Sequence, residues 1–159
     1  MVLDHMKIQP YHSSKAQEIA DLFSLAVHAI SPEIYTLEEK QAWARVPPDY
    51  AVWQARLAEK QPLLAMLNDK VIGFIELDPD GHIDCMYTHP EHQRQGVGAA
   101  LYAQTLVEAK KLQLQRLYVE ASYLAKPFFE QRGFKVLNKN KFKRGEVTLI
   151  NFTMEKHLV

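Results

Sequence analysis

A chain of 159 residues, 47% hydrophobic and 24% charged, suits one compact domain spanning residues 1–159 that needs no disulfide or metal for stability. Its 19 basic and 19 acidic side chains cancel, which argues against nucleic acid as the main partner. The lone cysteine, Cys85, excludes an internal disulfide framework and suits a reducing, cytoplasmic setting, and no apolar run approaches the ~20 residues of a membrane helix.

Residues 1–11 lack the apolar core and small-residue step of a signal peptide. Met6 is an alternative start, which makes the first five residues a loose extension. Lys7 to Pro10 reads as a strand. Ser14 with Gln17 predicts a capping box, and Ile19, Leu22, Phe23, Ala26, Val27 and Ile30 then recur at helical spacing until Ser31-Pro32. Thr36 with Glu39 caps a second helix carrying Trp43. Pro47-Pro48 breaks the chain, and Asp49 opens a third helix with Trp53 and Leu57.

The period then changes. Pro62 to Leu67, Val71 to Asp78 and His82 to Thr88 read as three strands joined by the turns Asn68-Asp69-Lys70 and Pro79-Asp80-Gly81, hence antiparallel. A helix over residues 96–112 and a strand over 116–120 follow, and this strand–helix–strand unit favours a parallel partner. Leu124 to Arg132 predicts a short helix stopped by Gly133. Residues 134–143 and 147–155 read as a final hairpin whose exposed edge offers a seam for a homodimer. The sum is an α/β fold, a mixed and mostly antiparallel sheet with helices on both faces.

One stretch carries chemistry. Gln93-Arg94-Gln95-Gly96-Val97-Gly98 follows a strand and opens a helix. A helix start offers unpaired N–H groups and the positive end of the dipole, which suits a pyrophosphate. Gly96 and Gly98 would let backbone amides approach closely. The turn lacks the Gly-Lys-Ser/Thr ending of a nucleotide P-loop and the third glycine of a dinucleotide fingerprint, so ATP and NAD are poor candidates.

Met86-Tyr87-Thr88-His89-Pro90-Glu91, followed by Gln93 to Gly98, closely resembles the GNAT superfamily of N-acetyltransferases. The family signature is Arg/Gln-x-x-Gly-x-Gly/Ala. Its second block, Ala-x-x-Phe-Tyr-x-x-x-Gly-Phe, is similar to Ala125-Lys126-Pro127-Phe128-Phe129-Glu130-Gln131-Arg132-Gly133-Phe134. The resemblance covers nearly the whole chain. It implies the GNAT fold, acetyl-CoA as acyl-donor cosubstrate, and an amine acceptor on a small molecule or peptide. It implies that Met86, Tyr87 and Thr88 offer backbone groups to pantetheine, and that Gln93, Arg94, Gln95, Gly96, Val97, Gly98 and Ala99 surround the pyrophosphate. Ser122 would touch pantetheine, and Phe128 and Phe129 would flank the thiol end. The strands ending near Thr88 and starting near Arg116 would splay at a bulge. Phe129 replaces the family's frequent tyrosine acid, so the proton donor must lie elsewhere, with water, Ser122 or Tyr123 as choices. The same replacement keeps open a second reading, a CoA-binding or sensing domain without catalysis.

The remaining candidates carry bland readings. Cys85 in a strand is a small buried hydrophobe rather than a nucleophile. His89 and His92 flank Pro90 without a third ligand, so a surface loop is expected and no metal is implied. Asp84 either pairs structurally or faces the active-site opening, Glu120 ends its strand at the splay, and Glu76 is a third choice. Glu120 and Asp84 are therefore the candidate bases for deprotonating the acceptor, with Glu120 ahead. Tyr35, Trp43 and Trp53 fall in the region that walls the acceptor pocket in this family, and for both tryptophans core packing is the preferred reading.

Overall fold

A computed structural model describes residues 5–158. The extension expected at the N-terminus lies mostly outside these residues, and Met6 already packs against the core. The elements run β1 (Lys7–Pro10), α1 (Ala16–His28), α2 (Leu37–Trp43), α3 (Tyr50–Lys60), β2 (Leu63–Leu67), β3 (Lys70–Leu77), β4 (His82–Thr88), α4 (Val97–Lys111), β5 (Arg116–Ala121), α5 (Lys126–Glu130), β6 (Lys135–Arg144) and β7 (Val147–His157). Seven strands form one sheet in the order β1-β2-β3-β4-β5-β7-β6, antiparallel throughout except for β4 beside β5.

Local chemistry explains most of these boundaries. Asn68 and Asp69 both adopt positive φ, as the two-residue turn between β2 and β3 requires. Thr36 Oγ1 accepts from Glu39 N and the Glu39 carboxylate accepts from Thr36 N, so the expected box opens α2. Asp49 likewise caps α3 by accepting from Val52 N. The box expected at Ser14 and Gln17 does not form. Instead the His12 imidazole accepts from Ser14 N, and a 3-10 turn over Ser13–Lys15 leads into α1. That helix ends at His28, and Ile30 lies beyond it. Lys40, almost wholly buried, donates to the carbonyls of His28 and Ile30, a cationic cap on the negative helix end. The helix at α5 is shorter than expected, because Ser122 takes Ala125 N with its hydroxyl and Lys126 N with its carbonyl, leaving a turn at residues 122–125.

Helices cover both faces. On one, Ile19 and Leu22 of α1 and Leu57 of α3 pack against Leu64, Met66 and Phe74. On the other, Leu101 of α4 and Phe129 of α5 pack against Ile75, Ile83, Leu117 and Val119. Full burial of a side chain such as Phe74 contributes about 2–3 kcal/mol. The hairpin of β6 and β7 closes the sheet, and its outer strand carries Lys135, Lys139, Lys141 and Lys143.

The sheet opens at its centre. β4 and β5 pair only at His82 with Tyr118 and Ile83 with Val119. Their approach there is close: a Cβ on Gly81 would lie 2.2 Å from Arg116 O, so no side chain fits. Beyond Ile83 the strands part. β4 follows β3 as far as Thr88 opposite Gly73, while β5 follows β7 as far as Ala121 opposite Phe152. The expected bulge starts the divergence: Glu76 faces Cys85 and Leu77 faces Ile83, so Asp84 is the extra residue.

Candidate active site

A cavity of about 480 Å³ occupies this opening on the face covered by α1, α2 and α3. Met86 and Tyr87 from β4 and Glu120, Ala121 and Ser122 from the end of β5 form its floor. Phe23, Tyr35, Trp43 and Trp53 form an aromatic wall, and Phe142, Arg144 and Ile150 of the last hairpin form the opposite side. Tyr35 and both tryptophans therefore line a cavity in addition to packing.

Three carboxylates converge near the floor, in different states. Glu76 is fully buried and is gripped by Arg56, whose Nη2 and Nε lie 2.6 and 3.1 Å from its two oxygens. This fork is the geometry in which a guanidinium compensates a buried charge. Asp84 is bound by both Arg56 Nη2 at 3.0 Å and Lys60 Nζ at 2.9 Å. Burial alone would push its carboxyl up, but the Lys60 hydrogen bond and the charges of Arg56 and Lys60 outweigh that and hold it below the usual aspartate value. Glu120 is different. His82 Nε2 lies 2.7 Å from Oε1, and Oε2 has no partner among the described residues. Glu76 has both oxygens engaged, Asp84 carries both of its cations on Oδ2 and also lines the cavity, and Glu120 alone of the three meets no lysine or arginine among the described residues.

Asp78, His82 and Asp84 cluster closely, as do Glu76, Asp84 and Cys85. Lys60 sits 2.9 Å from both Asp78 and Asp84, and Arg56 bridges Glu76, Asp84 and Cys85, so side-chain cations already serve these groups. The Cys85 thiol is pushed well up, first by burial and then by the Glu76 charge, which disfavours a thiolate nucleophile. His89 and His92 belong to a turn: His89 Nδ1 accepts from Glu91 N, and His92 Nδ1 meets Gln95 Oε1 at 3.0 Å.

The glycine turn has the form its sequence predicts. Gly96 caps α4 with φ +83, and Arg94 is also left-handed at φ +61. Ala100 N is the first to bond back, to Gly96 O at 3.0 Å. The N–H groups of Val97, Gly98 and Ala99 are thus left without an intrahelical acceptor at the positive helix end. Arg94 has no carboxylate within 4 Å among the described residues. Gly98 has a reason the sequence hid. A Cβ there would stand 3.3 Å from the Phe128 ring, so its smallness seats Phe128.

Phe128 and Phe129 part company. Phe129 is buried and reaches the cavity wall. Phe128 turns to α4, edge-on to Tyr102 and covered by the Arg132 guanidinium 3.6 Å from its centroid, so it does not flank the cavity with Phe129. Ser122 lines the floor. Thr88 ends β4 opposite Gly73 and lies outside the cavity wall. Tyr123 is exposed, its ring packed edge-on against Phe152, and it too is outside the wall. Its backbone N–H instead donates to the buried Tyr35 hydroxyl at 3.2 Å. Burial pushes that hydroxyl up, and the Tyr123 amide and Ser122 hydrogen bonds oppose the rise.

Sequence reasoning did not find Arg56, Lys60 or His82. Trp53, Arg56 and Lys60 stand at three-and-four spacing on α3, a one-face pattern that could have indicated the two cations. His82 at the foot of β4 carries no such signal, because its partner Glu120 is 38 residues away.

The family model of the GNAT acetyltransferase domain matches residues 32–156. The chain is 30% identical over 152 residues to YafP, an uncharacterised N-acetyltransferase of Escherichia coli (strain K12), with 96% of each chain covered. A GCN5-related N-acetyltransferase from Rhodopseudomonas palustris superposes with a TM-score of 0.91 at 32% identity, over 99% of both chains. The PaiA N-acetyltransferase of Thermoplasma acidophilum, solved in complex with coenzyme A, superposes with a TM-score of 0.77 at 19% identity, over 96% of this chain and 99% of its own. With its splayed sheet, its glycine turn at the start of α4 and a family match across most of its length, this chain belongs to the GNAT family of acetyltransferases.

Proposed function

We propose that this protein, acting as a single cytoplasmic domain, transfers acetyl from acetyl-CoA to the amine of an acceptor bound in the aromatic-walled cavity. The observation that carries the reading is the parting of β4 and β5 beyond Ile83, where Glu120 lines the cavity with one oxygen free, and it is supported by the unpaired amides at the start of α4. The turn fits the donor: unpaired N–H groups at a helix start and an unpaired Arg94 suit a pyrophosphate. PaiA carries coenzyme A on this fold. The donor supplies an activated acetyl group, whose bond to sulfur breaks as the bond to nitrogen forms, and a thiolate that leaves.

The chain's own residues do the rest. The β5-facing edge of β4 over Met86, Tyr87 and Thr88 offers backbone groups to an extended ligand. Amides of Gly96, Val97, Gly98 and Ala99 hold the phosphates, with Gln93, Arg94 and Gln95 beside them. Ser122 and Phe129 bound the thiol end. Holding both substrates in one cleft supplies much of the rate. Glu120 removes the acceptor's proton so that a neutral amine attacks, and His82 keeps its carboxylate in place. A thiol's ordinary value of ~8.5 makes a strong acid optional for the leaving group. Tyr35 lines the cavity where Tyr123 does not, and its hydroxyl accepts from Tyr123 N.

A second reading, CoA binding without transfer, has Phe129 in its favour. Release of free thiol from acetyl-CoA upon addition of an amine panel separates the two. Amine-dependent release supports transfer, while saturable acetyl-CoA binding without release by any amine supports the sensor. A homodimer through the edge of β6 would bring its four lysines toward a second copy, so any dimer seam is expected elsewhere. Among the described residues no helix is long and apolar enough to cross a membrane.

A further inference from the structure

The acceptor cavity has a chemical character of its own. Five rings form a continuous wall: Trp53 and Tyr87 each stand within 5 Å of Phe23, Trp43 lies 6.4 Å from Tyr87, and Tyr35 lies 5.3 Å from Trp43. Three of the four polar ends of this wall are engaged, the Trp53 Nε1–H being the fourth. Trp43 Nε1 donates to the Tyr87 hydroxyl at 3.2 Å, and the Tyr35 hydroxyl accepts from Tyr123 N. What remains toward the cavity is ring surface, which favours a flat apolar body and, through its quadrupole, one nearby cation.

The charges point the same way. The cavity's carboxylates are committed: Asp84 to Arg56 and Lys60, Glu120 to His82 through one oxygen, and Asp49 to the cap of α3. Arg45 and Arg144 also line the cavity, and neither has a carboxylate within 4 Å among the described residues. A polyamine, an aminoglycoside or a lysine-rich segment would find no row of free carboxylates and would meet two unpaired arginines. One amine, taken by Glu120, is all the electrostatics accommodate.

We propose that the acceptor is a monoamine carried on an aromatic body, the ring held by the wall of Phe23, Trp43 and Tyr87. This rests on the acetyl-transfer reading and names the substrate class for that site.

The test is thiol release from acetyl-CoA with tyramine, phenethylamine, butylamine, spermidine and an acetyl-capped lysine peptide. The expected order is tyramine and phenethylamine above the other three by about tenfold in kcat/KM. In Trp43→Leu the advantage of the aromatic amines over butylamine narrows. Faster turnover of spermidine or the lysine peptide than of either aromatic amine overturns the inference and leaves acetyl transfer standing. If no amine is acetylated, the transfer reading fails and binding decides. Both tryptophans of the chain stand in this wall, so tryptophan fluorescence reports occupancy directly. Saturable quenching by tyramine but not by butylamine then sustains the aromatic site, and equal or absent quenching overturns it.

Discussion

His82 Nε2 lies 2.7 Å from Glu120 Oε1, joining the foot of β4 to the end of β5 just where the two strands begin to part. The imidazole is held from several sides. It stacks on Tyr118 with centroids 4.7 Å apart, and its Nδ1 lies 3.4 Å from Asp78 Oδ2. Tyr118 is in turn fixed by a 2.6 Å hydrogen bond to Asp80. The carboxylate at the splay thus has one oxygen immobilised and one free. That arrangement suits a positioned proton acceptor, which must be held within hydrogen-bond reach of the proton it removes.

His82→Ala should therefore lower kcat by about tenfold while leaving the acetyl-CoA dissociation constant within about twofold. The split is the informative part, since a general loss of structure would weaken both. Steady-state thiol release and calorimetry on the same preparation measure it. Equal loss in both would reduce His82 to a structural residue.

Arg56 answers a different need. Its fork neutralises the fully buried Glu76 and also reaches Asp84. Arg56→Met keeps the apolar stem but leaves Glu76 with an uncompensated charge. The expected loss is about 3 kcal/mol, at the low end for a broken buried pair because Arg56 retains partial exposure. Urea unfolding checks it, and the double variant Arg56→Met/Glu76→Leu should recover most of the loss.

Acid should destabilise the fold through Asp84. Its folded-state value lies below the ordinary 3.8, so its stabilising contribution is complete above that value and is lost as pH falls through the lower folded value. Thermal unfolding followed from pH 6 down to pH 3 should show a falling midpoint at the acid end, and Asp84→Asn should flatten that part of the curve. An identical acid slope in the variant would assign the loss to other carboxylates.

Gly98 offers a test of why the turn needs a small residue. Its missing Cβ faces Phe128 at 3.3 Å. Gly98→Ala should weaken acetyl-CoA binding by pushing Phe128 and the start of α4 apart, and Phe128→Leu in the same chain should restore most of the affinity. Binding that stays weak in the double variant would mean that position 98 meets the ligand itself.

How much of this could be read from the residues follows the range of the interactions. The caps at Thr36 and Asp49, the meander turns and the start of a helix at Gly96 depend on neighbours within a few positions, and they stand where the sequence predicts. The parallel partner of β5 follows from the strand–helix–strand unit, and a bulge at the splay from the resemblance to GNAT enzymes, while its place at Asp84 emerges only in the sheet. Ser14 misled because His12, two residues earlier, competes for the same N–H. Asp84 and Glu120 looked alike in sequence. Only the placement of Arg56 and Lys60 from α3, and of His82 from β4, separates a carboxylate held by two cations from one met by an imidazole alone. Phe128 and Phe129 were adjacent aromatics with one expected role, and a helical turn of about 100° between them sends one to α4 and the other to the cavity.

The measurement that bears most directly on acetyl transfer at this splay is turnover by Glu120→Gln beside its affinity for acetyl-CoA. The side chain keeps its size and a bond to His82 but can no longer accept the acceptor's proton. Thiol release on the best amine should fall by about a hundredfold or more, with acetyl-CoA bound as tightly as by the unaltered protein. A Glu120→Gln protein that turns over at the normal rate would contradict the account.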